Sequence, residues 1–266
     1  MIGCDLSILV PALNEAGNLG PLVDQVHRAF CRDPHPPQIV LVDDGSTDAT
    51  AAEIDQLAAR HPHVVALHHA SVRGQSAALR TALLASAAPL VATLDADLQN
   101  DPVDLPRMRD LLLSHGVDLV QGDRSAQRRD HPGRRLASAV GRWTRRVLLR
   151  DPTRDTGCAT RVLRRELALR LPLHRPGMHR FIPACSARLG AAILETPVAH
   201  HPRRRGRSKY GTAPLRRGLP ALCDCFRVQR FPGRPRRAVR HAGPGLGPDF
   251  VPTQRPVASP AEVAPW

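Results

Sequence analysis

Three times within its first hundred residues the chain runs an apolar segment straight into acidic side chains. Residues 6–10 lead to Asn14 and Glu15, residues 39–42 to Asp43 and Asp44, and residues 90–94 to Asp95 and Asp97. A fourth apolar run covers residues 64–67. Between these runs the spacing turns helical. Leu19, Leu22, Val23, Val26 and Phe30 fall on one face, a helix is predicted from Ala49 to Ala59 behind Ser46, Thr47 and Asp48, and an alanine-rich helix over 73–87. Strands without a polar face, alternating with helices, predict a parallel sheet covered on both sides. In such a sheet ligands bind beyond the carboxyl ends of the strands. The acidic clusters therefore belong to one edge.

That edge poses an electrostatic problem. Glu15, Asp43, Asp44, Asp95 and Asp97 cannot all stand there as unpaired anions without cost. A hard divalent cation, Mg²⁺ or Mn²⁺, takes oxygen ligands and bridges phosphates, so the pattern points to a metal and a nucleotide. No GxGxxG follows the first strand, which excludes the dinucleotide-binding alternative. The second half of the chain reads less regularly. A strand is expected over 117–121, an Arg-rich loop over 124–135, a helix over 136–149, a loop around Asp155-Thr156-Gly157-Cys158, a helix from Arg164 and a last strand over 191–198. Leu215, Leu219, Leu222 and Phe226 keep helical spacing among arginines, and from Pro232 onward Pro, Arg and Gly dominate.

Charge separates these regions. Residues 200–266 carry 14 basic and 3 acidic side chains, so most of the formal net charge of +14 sits in the last quarter. Such a patch suits an anionic partner: nucleic acid, lipid headgroups or a phosphorylated substrate. Aromatic residues make up only 3% of the chain, too few to interleave with arginine for base stacking, and nucleic acid is not the expected partner. The six cysteines form no CxxC pair, so reduced thiols are expected. No signal peptide is visible, and no apolar run reaches the roughly 18 residues that span a bilayer.

The motifs VPALNE (10–15), VDDGSTD (42–48), RGQSAALRTAL (73–83), DADLQNDP (95–102), QGDR (121–124), DTGC (155–158) and HHPRRRGRSKYG (200–211) occur in this order. Together they resemble a family 2 glycosyltransferase of the GT-A fold, in the branch of dolichol- and polyprenyl-phosphate sugar synthases. The resemblance implies a catalytic domain over 1–211; beyond it the chain departs from the family, and its own spacing and composition predict an amphipathic helix (212–231) suited to a membrane surface and a disordered basic tail (232–266). The domain's sheet would be Rossmann-like, mostly parallel and flanked by helices. The resemblance implies metal-dependent, inverting transfer of a sugar from GDP-mannose or a UDP-sugar to a polyprenyl phosphate, by an enzyme peripheral on the cytoplasmic face of the membrane. Transfer to a sugar or lipid hydroxyl is the alternative.

Residue roles follow from the same resemblance. Pro11, Leu13, Asn14 and Glu15 would line the base and ribose pocket. Asp43 or Asp44 would contact base and ribose, and Asp95, Ala96 and Asp97 the donor. Asp95, Asp97 and Gln99 would hold Mg²⁺ or Mn²⁺. Arg124, Arg203, Ser208 and Lys209 would meet phosphates of donor or acceptor. A lipid phosphate is already ionised and requires no general base, whereas a hydroxyl acceptor would need one, with Asp155 as candidate. A loop-capping aspartate is the bland reading of Asp155.

Overall fold

The computed structural model describes residues 4–125 and 153–201, together with Leu149, Cys225, Val228, Gln229, Arg240 and His241. Within these the chain alternates as expected: β1 (Leu6–Ala12), α1 (Leu19–Ala29), β2 (Gln38–Asp43), α2 (Thr50–Arg60), β3 (Val64–His68), α3 (Gln75–Ala85), β4 (Leu90–Thr93), α4 (Asp104–Ser114) and β5 (Leu119–Asp123). There follow β6 (Arg161–Arg164), α5 (Arg165–Leu169), a 3-10 turn (Met178–Phe181), α6 (Ile182–Arg188), β7 (Ile193–Pro197) and the two-residue β8 (Arg240–His241).

The strands form one sheet in the order β3-β2-β1-β4-β6-β5-β7-β8. Every neighbouring pair is parallel except those made by β6, which runs antiparallel to both β4 and β5. The order grows outward from β1 to β3 and then resumes on the other side with β4. That reversal leaves a crevice between β1 and β4, where loops diverge and a ligand can enter.

Strand alternation distributes the side chains to two apolar layers. Ile8, Val10, Ile39, Leu41 and Ala92 pack with Leu22 and Val26 of α1, Ile54 of α2 and Met108 of α4. Leu9, Val40, Val42 and Val91 face the other way, onto Ala78, Leu79 and Ala82 of α3 and onto Phe181 and Ile182. A sheet with helices on both faces explains why these strands read as unbroken apolar runs rather than alternating ones.

Three local readings require correction. The helix expected from Arg164 begins at Arg165, and the four residues before it form β6. With an arginine at each end, RVLR carries no apolar signature, and its pairing with β4 and β5 makes it a strand. The helix predicted over 49–59 runs one residue later, over Thr50–Arg60, while Asp48, one of the three expected caps, does accept from the Thr50 backbone N–H at 3.0 Å. Arg240 and His241 lie in the tail expected to be structureless, yet their backbone pairs with Leu194 and Glu195 of β7. The helix over 136–149 and the amphipathic segment fall outside the described residues apart from Leu149, Cys225, Val228 and Gln229. Of these, Leu149, Cys225 and Val228 are buried in the layer that contains α6.

Candidate active site

The loops that leave β1 and β2 are tied to each other before they can serve any ligand. Asn14 donates its backbone N–H to Ser46 Oγ at 2.9 Å, and its Oδ1 accepts from the Thr47 N–H at 2.9 Å. Glu15 N–H donates to Thr50 Oγ1, and Glu53 of α2 accepts the Gly20 N–H at the start of α1. Asn14 itself adopts φ 54, which a side-chain amide tolerates better than most. These bonds fix Pro11 and Leu13, both partly exposed, at the mouth of the crevice, with Glu15 buried behind them.

Asp43 and Asp44, both buried, divide their work. Asp44 Oδ1 accepts from the Arg73 N–H at 2.9 Å and faces His69 Nδ1 at 2.8 Å, while Oδ2 accepts from the Gly74 N–H at 2.8 Å. Asp44 thus anchors the loop between β3 and α3. Asp43 Oδ1 accepts from the Ser46 N–H, and its Oδ2 lies 3.7 Å from His68 Nδ1. Of the two, Asp43 has the less committed carboxylate. Gly45, which follows them, has φ +74, and a Cβ there would stand 2.6 Å from the Ser71 carbonyl carbon. Only glycine lets the two loops close this tightly.

Asp95 and Asp97 follow β4 at the switch point. Gln75 Nε2 donates to Asp95 Oδ1 at 2.9 Å, and Asp97 Oδ1 accepts from the Gln99 N–H at 3.2 Å. Just after them Leu98 has φ 59, a left-handed conformation costly for leucine, which reverses the chain inside the motif. Burial, and then the charge of Asp97, push the Asp95 carboxyl up to about 6, against the pull of Arg161 and Arg124. Two carboxylates and the Gln99 amide would supply oxygen donors only. Among the described residues no three His, Cys, Asp or Glu side chains gather into a closed cage. Oxygen donors of this kind fit a hard divalent cation such as Mg²⁺ or Mn²⁺.

On the β5 side, Arg124 and Asp155 are both buried and form a two-pronged pair. Arg124 Nε donates to Asp155 Oδ2 at 2.8 Å and Nη2 to Oδ1 at 3.3 Å. The backbone N–H groups of Arg124 and Gly157 also donate to Asp155. Asp155 is thereby more than a loop cap: it fixes the guanidinium on which a phosphate would depend. Gly122 permits this packing, because a Cβ there would meet the Thr160 carbonyl oxygen at 2.8 Å.

The segment after β7 is laid against the loop that carries Gln99. His201 N–H donates to the Gln99 carbonyl at 2.7 Å, Asn100 and His200 form an antiparallel bridge, and Ala199 N–H donates to Asp104 Oδ2 at 2.7 Å. His201 is the last described residue before the basic stretch, so Arg203, Ser208 and Lys209 lie outside the described residues. Three residues near this centre were not anticipated. Gln75 stands in a motif quoted from the sequence but had no role assigned. His69 had no signal beyond a His-His doublet. Arg161 is a buried arginine, which neither composition nor periodicity foretells.

Comparison with known proteins agrees with this architecture. The sheet and its helices superpose on glucosyl-3-phosphoglycerate synthase of Mycobacterium tuberculosis bound to phosphoglyceric acid, with a TM-score of 0.64, 21% identity and coverage of 84% of this chain and 80% of that one. The same enzyme in complex with Mg²⁺ and uridine diphosphate gives 0.63. The chain is therefore built on the GT-A fold of nucleotide-sugar transferases.

Residues 7–171 match glycosyl transferase family 2, and the chain belongs to that family. It is 34% identical over 248 residues to the dodecaprenyl-phosphate galacturonate synthase of Rhizobium johnstonii, covering 91% of this chain and 72% of the relative. It is 31% identical over 223 residues to the undecaprenyl-phosphate 4-deoxy-4-formamido-L-arabinose transferase of Pectobacterium carotovorum, covering 84% and 67%. The protein is a glycosyltransferase.

Proposed function

We propose that the enzyme transfers a sugar from a nucleotide-sugar to a polyprenyl phosphate at a membrane surface, with inversion at the anomeric carbon. The observation that carries this reading is the Asp95–Asp97 pair at the switch point, Asp97 buried and Asp95 half-buried, with the charge of Asp97 acting against that of Asp95. The named activities of the two relatives supply the acceptor class.

In this reading Pro11, Leu13, Asn14 and Glu15 border the base and ribose, and Asp43 reaches the nucleoside while Asp44 holds the loop behind it. Asp95, Asp97 and Gln99 would hold Mg²⁺ or Mn²⁺, which when bound would neutralise charge growing on the departing diphosphate. Ala96 keeps the two carboxylates apart on the loop. Arg124, steadied by Asp155, faces donor or acceptor phosphate with the guanidinium edge that the pair leaves over. Arg203, Ser208 and Lys209 would extend the cationic wall from the stretch that follows His201. The enzyme would meet its lipid from the cytoplasmic side without spanning the membrane. Among the described residues no helix is long and apolar enough to cross one.

The pairing of Asp155 supports the phosphate acceptor over the hydroxyl alternative. Both its oxygens accept from Arg124, an arrangement that favours orienting a cation over taking a proton from a hydroxyl. A phosphate acceptor dispenses with that proton transfer. The test is a competition between polyprenyl phosphate and the corresponding free polyprenol, with labelled nucleotide-sugars and Mn²⁺. Label should enter a lipid product only with the phosphate. Transfer to the alcohol, or only to a soluble glycan, would contradict the proposal.

A further inference from the structure

Arg161 occupies a position that ordinarily rejects charge. It is 3% exposed, and its N–H groups go to neutral acceptors: Nε to Gln121 Oε1 at 3.0 Å, Nη1 to the His179 carbonyl at 3.1 Å, and Nη2 to the Cys158 carbonyl. Among the described residues no carboxylate accepts a hydrogen bond from it. Burial pulls the guanidinium below the ordinary arginine range, the mark of a cation held out of water. Carbonyl oxygens offset only part of that cost. A neutral amide would serve several of the same acceptors, so the bonds alone do not account for a cation here.

The sheet explains what the charge faces. In the β4–β6 register Arg161 stands opposite Thr93, the last residue of β4, two positions before Asp95 in the chain. Gln75 from α3 donates to Asp95. The charge of Arg161 acts favourably on Asp95 and on Asp155, and unfavourably on Arg124. A fixed positive charge that acts on Asp95 has two opposed effects on the site. It weakens the pull on a bare cation, and it strengthens the attraction of the whole site for a polyanion.

We propose that Arg161 is a positioning residue of the donor site, a buried counter-charge that biases Asp95 and Asp97 toward a cation arriving with a nucleoside diphosphate and away from the bare ion. The proposal rests on the reading that this pair holds a divalent cation. It distinguishes Arg161 from a structural crosslink, because a crosslink that fails weakens every ligand together.

The test is calorimetry at pH 8 on the full chain, titrating Mn²⁺ alone and then UDP or GDP in saturating Mn²⁺. In Arg161→Gln, Mn²⁺ alone should bind about threefold more tightly and the nucleotide about fivefold more weakly, the opposite signs following from one lost charge. Arg161→Lys, which keeps the charge but loses the fork, should leave the ratio of the two affinities at the wild-type value. Weakening of both ligands in step with a lower melting temperature, or no change in either, would overturn the proposal. A changed ratio in Arg161→Lys would do the same, even where Arg161→Gln does not fold. If the wild-type chain binds no nucleotide with Mn²⁺, the donor-site reading falls first and this one with it.

Discussion

Replacing Asp97 by asparagine should make the metal-free protein more stable while removing its capacity to hold the cation. The Asp95 carboxyl is raised from its usual 3.8 to about 6, first by burial and next by Asp97. That rise corresponds to a ceiling of about 3 kcal/mol, of which the charge of Asp97 accounts for a part, about 1 kcal/mol. The sign follows from linkage. A carboxyl whose folded value lies above its unfolded value binds more protons in the native state between pH 4 and 6. The penalty is therefore absent below about pH 4 and complete above about pH 6. The amide that replaces the Asp97 carboxylate would keep an Oδ1 to accept from the Gln99 N–H.

Thermal unfolding in EDTA should give equal melting temperatures near pH 4 and a variant about 2–4 °C more stable at pH 8. Adding Mn²⁺ at pH 8 should raise the wild type and leave the variant unchanged. If Asp97→Asn lowers stability at pH 8 without metal, the two carboxylates are not an electrostatic liability, and the argument for a cation between them loses its footing.

Other outcomes follow from neighbouring geometry. His179 is depressed to about 3 by burial, with Arg180 and Arg161 adding to it. Native stability should therefore fall as pH drops from about 6.5 toward 3, with a slope of at most about 1.4 kcal/mol per pH unit, and His179→Gln should flatten that slope in urea titrations. Gly45→Ala would place a methyl 2.6 Å from the Ser71 backbone at a positive φ; a loss of about 3 kcal/mol or more is expected by chemical denaturation. Asp155→Asn breaks a buried ion pair and should cost about 3–5 kcal/mol. A variant of unchanged stability and abolished turnover would instead favour the general-base role.

The parts of the fold legible in the sequence were those with one dominant signal. Runs such as 39–42 are apolar because helices cover both faces, and that made the first four strands readable. The shared edge was inferable because Asp43 and Asp95 come at or just after the ends of strands in one parallel sheet, whereas the reversal between β1 and β4 came only with the structure. β6 was not legible: its RVLR sequence is short, arginine ends it on both sides, and Arg161 is buried only because tertiary carbonyls surround it. The division of labour between Asp43 and Asp44 was also hidden, since it depends on Arg73 and Gly74, far downstream in another loop. Likewise the Arg124–Asp155 pair joins two motifs that sequence order keeps apart by 31 residues.

The central claim is that the paired carboxylates at the end of β4 hold a cation for sugar transfer to a lipid phosphate. Its most direct test is incubation with a labelled nucleotide-sugar, Mn²⁺ and polyprenyl phosphate, followed by extraction into organic solvent. Label should appear in the organic phase with the wild type, and disappear with EDTA and in Asp97→Ala. Organic-phase label that persists in both controls would contradict the account.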